Sequence, residues 1–137
     1  MISFSMYNQK DNETPLLINK ELLQLYRERC DTYLVNIKRQ LSRNLVDYKL
    51  FQELQQVNNS FFVIIDYLDC DHYTTLKEIE DDRQLLVNNI NIFTKHCKDC
   101  VTLDVFEGIM EDCNVLALTI HKLIQIVKTV NDKGDKY

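Results

Sequence analysis

The sequence predicts an all-α protein, an antiparallel up-down-up-down four-helix bundle with short loops. Three observations predict it. Apolar residues recur at three- and four-residue spacing over most of the 137 residues. No period-two run bounded by glycine or proline marks a strand. Only Pro15, Gly108 and Gly134 punctuate the chain strongly, so turns fall to Asn, Asp, Ser and Thr clusters of about three to six residues. Connections that short force neighbouring helices antiparallel. The two long crossovers of a helical cytokine find no place here.

Residues 1–14 are polar and aperiodic and read as a flexible tail; the bundle is expected over 15–131, with 132–137 fraying. Thr14-Pro15 has the form of a helix start, the hydroxyl capping and proline taking the first helical position. Leu23, Tyr26, Cys30, Tyr33, Ile37 and Leu41 then make the first apolar stripe, and "LSRN" stops it. The second helix is expected from about 45 to 69 through Leu54, Val57, Phe61, Ile64, Ile65 and Leu68. Its rhythm passes through Asn58-Asn59-Ser60 and closes at "DCDHYTT". Thr75 and Glu78 have capping-box spacing before Ile79, Leu86, Ile90, Phe93 and Cys97. Asp104 reads as an acidic cap for the last helix, whose stripe runs Phe106, Ile109, Cys113, Leu116, Ile120, Leu123, Val127 and Val130.

Composition narrows the function classes. Net charge is −5 without a basic block, which disfavours nucleic acid and anionic lipid as partners. No basic n-region precedes an apolar stretch at the start, and no run of about 18 apolar residues occurs, so neither a secretory leader nor a membrane span is expected. Five scattered cysteines point to a reduced, cytoplasmic protein. On that reading the sequons at Asn12 and Asn58 are chance matches. Abundant Asn, Ile, Lys and Asp beside a single Ala117 is usage shared with AT-rich genomes, including large DNA viruses.

The stretch "TKHCKDC", Thr94–Cys100, invites a metal or redox reading. Cys70, His72, Cys97 and Cys100 resemble a four-ligand zinc set on paper. A third helix of the expected length sets the two halves about 33 Å apart, whereas zinc–ligand bonds are about 2.0–2.3 Å. His96, Cys97 and Cys100 remain as a redox site or an inter-subunit metal site. Against that, Cys97 completes an apolar stripe and Cys100 falls in the following loop. Cys30 and Cys113 read as core thiols at similar heights on helices 1 and 4. His121 lies at the edge of a stripe, without the small neighbour that admits a phosphotransfer partner. No Glu-x-x-His, P-loop, dinucleotide fingerprint, G-x-S-x-G or H-E-x-x-H occurs, so no enzyme activity, catalytic residue, cofactor or bound metal is expected.

Function is therefore expected on the surface. "FFVII" (61–65) and "VLALTIHKLIQIV" (115–127) carry more apolar residues than the three in seven a bundle seam requires. Phe61, Phe62, Ile65, Val115, Leu118 and Ile126 are the candidate partner-binding residues, on a face of helices 2 and 4. The expected function is a non-enzymatic protein-interaction module, oligomeric or binding another protein. The alternatives are a thiol redox or inter-subunit metal module at Cys97 and Cys100, and a viral host-interaction protein with a Bcl-2-like groove. Longer, fewer helices and the absence of N-W-G-R count against the last.

Overall fold

The computed structural model describes residues 14–44 and 46–135, with side chains to 132. The expected tail, apart from Thr14, lies outside these residues. The described chain is a bundle of four helices: α1 (Lys20–Ser42), α2 (Tyr48–Asp69), α3 (Leu76–Cys100) and α4 (Leu103–Asp135). Strands are absent among the described residues. α1 packs on α2 and α4, and α3 packs on α2 and α4; the backbones of the diagonal pairs make no close approach. The sparsest of the four packed pairs is α1 with α2.

The predicted stripes are the core. Leu23, Cys30 and Ile37 of α1, Leu54 and Phe61 of α2, Ile79 and Phe93 of α3, and Leu116 and Leu123 of α4 are all buried. Burial of this kind stabilises by roughly 1.5–3 kcal/mol for each large apolar side chain. α2 continues unbroken through Asn58-Asn59-Ser60 because its polar residues are locally satisfied. Ser60 Oγ donates to the Gln56 carbonyl at 2.9 Å and accepts from Asn89 Nδ2 of α3, giving the core a polar register mark. Among the described residues no buried side-chain N or O atom lacks a partner.

Helix ends follow capping chemistry, and in two places it differs from the expectation. α1 begins at Lys20, not at Thr14-Pro15: the Asn19 side chain accepts from the amides of Glu21 and Leu22 and so wins the capping position. Residues 14–19 instead form an extended strap. Leu16 and Ile18 pack on the core while Leu17 faces out, the Leu16 amide donates to the Tyr73 carbonyl, and Asn131 bonds both the amide and carbonyl of Leu17. Similarly, α4 starts one residue before its expected cap. The Phe106 amide donates to the Thr102 carbonyl, which leaves Asp104 inside the first turn, where its charge complements the helix dipole. α4 also runs on to Asp135, beyond the expected fray point. α3 has its capping box as expected, with Thr75 and Glu78 bonded reciprocally.

α2 ends without a glycine. Asp71 takes the left-handed conformation (φ 54°), the His72 amide donates to the Tyr67 carbonyl, and the Asp71 amide approaches the Leu68 carbonyl. This is a Schellman closure with aspartate where glycine is usual, a residue that tolerates positive φ better than most. Lys20 Nζ reaches across from α1 to the Leu68 and Asp69 carbonyls and to Asp71. Further links tie Arg27 to Asp66, Glu53 to His96, Gln40 to Asp112 and Glu80 to Lys128. Gly108 lets Gln40 approach closely, since an added Cβ would meet Gln40 Oε1 at 2.5 Å.

Candidate functional site

Two candidate constellations came from the sequence, and the fold treats them differently. In the first, "TKHCKDC" is helical throughout: α3 runs to Cys100, so Cys100 is the final helical residue and not a loop thiol. The turn to α4 is only Val101-Thr102. Cys97 is wholly buried, and burial, with the nearby Cys100, pushes its thiol up to about 11. A thiol at that value is almost entirely protonated at neutral pH, and the thiolate is the species that attacks disulfides or binds metals. Cys100 is half-buried and its thiol is free.

His96 faces away from both cysteines' role. Its Nδ1 lies 2.5 Å from Glu53 Oε1, and its Nε2 lies 3.9 Å from Asp47, the N-cap of α2. It thus fastens the end of α3 to the start of α2. The histidine has a structural partner set that the linear motif could not reveal.

Cys70 and His72 are consumed by the α2 terminus. Cys70 is the C-cap, with its amide on the Asp66 and Leu68 carbonyls, and His72 stacks on Tyr67 with ring centroids 4.0 Å apart. The whole of α3, roughly 36 Å at 1.5 Å per residue, stands between this turn and Cys100. Among the described residues no group of three or more His, Cys, Asp or Glu is arranged to hold a metal ion.

Cys30 and Cys113 are buried core thiols, pushed up to about 12, chiefly by burial. Gln40, ten residues beyond Cys30 on α1, bonds Asp112, the residue before Cys113 on α4.

The second constellation was the apolar face. Phe61 and Ile65 are 0% exposed and belong to the core, so they present no surface. Phe62 is 40% exposed and Leu118 is 52% exposed, whereas Val115 and Ile126 are half-buried. The backbones of α2 and α4 make no close approach, and with Phe61 and Ile65 buried the six residues do not form one exposed face. They resolve into Phe62 on α2 and a separate ridge on α4. Val115, Leu118 and Ile126 follow one another at helical spacing with Lys122 between them, forming one line along α4.

Sequence reasoning missed a cleft beside the start of α2. It encloses about 660 Å³ and is bordered by Lys38 of α1 and by Tyr48, Lys49, Phe51, Glu53 and Gln55 of α2, among others. No linear motif marks it; Tyr48 and Lys49 prove to be exposed in the first turn of α2.

One stretch, Leu103–Asp132 of α4, has the length and mean hydropathy (1.2) of a membrane-crossing helix. In the bundle its apolar line from Ile109 to Val127 is buried against the other helices. Compared with protein-family models, with curated proteins and with solved structures, the chain finds a match in none of the three.

Proposed function

We propose that this chain is a non-enzymatic, cytoplasmic protein-interaction module. It contacts a partner protein or another copy through Phe62 on α2 and through the Val115–Leu118–Ile126 ridge on α4. The observation that carries this reading is the contrast between a closed core and the large apolar side chains left outside it. Phe62 at 40% and Leu118 at 52% remain in water although the polar atoms of the core are satisfied. Apolar side chains aligned on a ridge gain most when a partner covers them. The burial of α4's main stripe favours a helix serving the core over one spanning a bilayer.

We infer also that the four helices alternate in direction, the arrangement in which ridge and thiols stand apart. Contacts between opposite ends support it. Lys20, at the start of α1, reaches the end of α2, and Glu53, early in α2, meets His96, late in α3. Glu80, early in α3, pairs with Lys128, late in α4, and Gln40 near the end of α1 meets Asp112 near the start of α4. The thiol alternative draws little support from a buried Cys97 whose proton is held tightly.

The test is crosslinking in the cells that make the protein, comparing wild type with F62E/L118E and with C97S/C100S. The interaction reading expects loss of the crosslinked species in the first variant and retention in the second. The reverse pattern would replace it with the thiol reading.

A further inference from the structure

The border of the cleft between α1 and α2 carries two lysines and one glutamate, a local excess of positive charge on a chain of net charge −5. α1 and α2 make the fewest close backbone approaches of the packed pairs, and the cleft lies where Lys38 of α1 borders the first turns of α2. Its border joins two lysines, Lys38 and Lys49, to the aromatic rings of Tyr48 and Phe51. Tyr48 is 73% exposed, and Phe51 is half-buried with one side against the core. Among the described residues neither lysine has a carboxylate within salt-bridge distance, a condition they share with other basic residues such as Arg39 and Lys122. The one acid on the cleft border, Glu53, is already engaged by His96. Two lysines and one glutamate beside two aromatic rings therefore border an open cleft of about 660 Å³, within the roughly 300–1,000 Å³ of ligand clefts.

We propose that this cleft docks an acidic segment of a partner protein, one that sets an apolar side chain between Tyr48 and Phe51 and carboxylates beside Lys38 and Lys49. Charge complementarity selects the occupant. A chain of net charge −5 repels acidic partners over most of its surface, so a local cationic cleft steers such a segment to one place. The aromatic rings supply the apolar contact that charge alone lacks. A basic segment is disfavoured by both lysines. The proposal rests on the interaction reading above and gives it a second contact, distinct from Phe62 and the α4 ridge.

The probe is a short fluorescein-labelled synthetic helix bearing leucines on one face with glutamates beside them, paired with the same helix carrying lysines instead. Anisotropy titration at low salt should show saturable binding of the acidic helix and none of the basic one, weakening as salt is raised. K38E/K49E should bind the acidic helix roughly tenfold more weakly, as expected for losing two partly exposed ion pairs. F62E/L118E should bind it as wild type does. Amide shifts on titration should centre on Tyr48, Phe51 and Gln55. K38Q/K49Q, which removes charge without reversing it, serves as the second variant if K38E/K49E does not fold. Equal binding of the two helices, or of wild type and both lysine variants, overturns the cleft proposal. The crosslinking result decides the interaction reading separately, since its variants leave the cleft intact.

Discussion

Phe61 and Phe62 are adjacent, chemically identical and in ring contact, with centroids 5.3 Å apart, yet they occupy opposite environments. Phe61 is 0% exposed and Phe62 40%. Truncating Phe61 to alanine removes a buried ring from the middle of α2 and leaves a cavity lined by the core. Such substitutions cost about 3–5 kcal/mol. Truncating Phe62 loses the same ring–ring contact, about 0.5–1.5 kcal/mol, together with a part-exposed apolar area, and should cost no more than about 1–2 kcal/mol. Natural domains of this size hold about 5–15 kcal/mol in reserve, so the first change threatens folding and the second does not. Thermal melting followed by circular dichroism should lower the midpoint by roughly 10–20 °C for Phe61→Ala and about 3–6 °C for Phe62→Ala. Urea melts of both variants should keep the wild-type slope. Equal losses from the two substitutions, or a larger loss from Phe62→Ala, would refute the assignment of Phe61 to the core and Phe62 to the surface.

Other outcomes follow from the helix ends and the thiols. Thr75→Ala removes the cap of α3 and should cost about 1 kcal/mol in denaturant melts. The Glu78 carboxyl is held below the usual carboxylate range, first by hydrogen bonds from Thr74 and then from Thr75. Because its folded value is lowered, its stabilising contribution is present above the ordinary carboxylate value and is lost as pH falls through the folded one. Stability measured against pH on the acid side should therefore slope less steeply in Thr75→Ala than in wild type. Asn131→Ala removes both side-chain bonds to the Leu17 backbone. It should cost about 1–3 kcal/mol and accelerate hydrogen exchange at the Leu17 amide, while mid-α4 amides stay protected. Thiol labelling of the native protein at neutral pH should modify exposed Cys70 first and Cys100 more slowly. Cys30, Cys97 and Cys113, buried with raised thiol values, should react only after unfolding.

The long-range plan of the helices was legible because burial imposes a 3.6-residue period, and Leu54, Phe61, Leu86, Phe93, Leu116 and Leu123 obey it. The capping box at Thr75 and Glu78 was legible for the same reason of local chemistry. What escaped was any choice between equivalent local signals. Thr14 and Asn19 are both good caps, and only the packing of Leu16 and Ile18, with the bond to Tyr73, decides for Asn19. In "FFVII" the stripe through Leu54, Val57, Phe61, Ile64 and Leu68 already turned Phe61 inward, so counting Phe61 and Ile65 with Phe62 as surface set the local excess of apolar residues above that period. Glu53 and His96 are 43 positions apart, so no linear motif could announce their contact. The cleft joins Lys38 of α1 to the first turns of α2, a property of the assembled bundle and not of either helix.

With the helices alternating in direction as proposed, the cysteine-bearing corners stand at opposite poles and the outer surface is the working part. Spin labels on Cys70 and Cys100, the two thiols that are not buried, measure this directly by pulsed dipolar spectroscopy. The helix between them predicts a distance distribution centred near roughly 36 Å. A distribution centred below about 15 Å, ten residues of helix or fewer, would contradict it and return the two corners to one shared site.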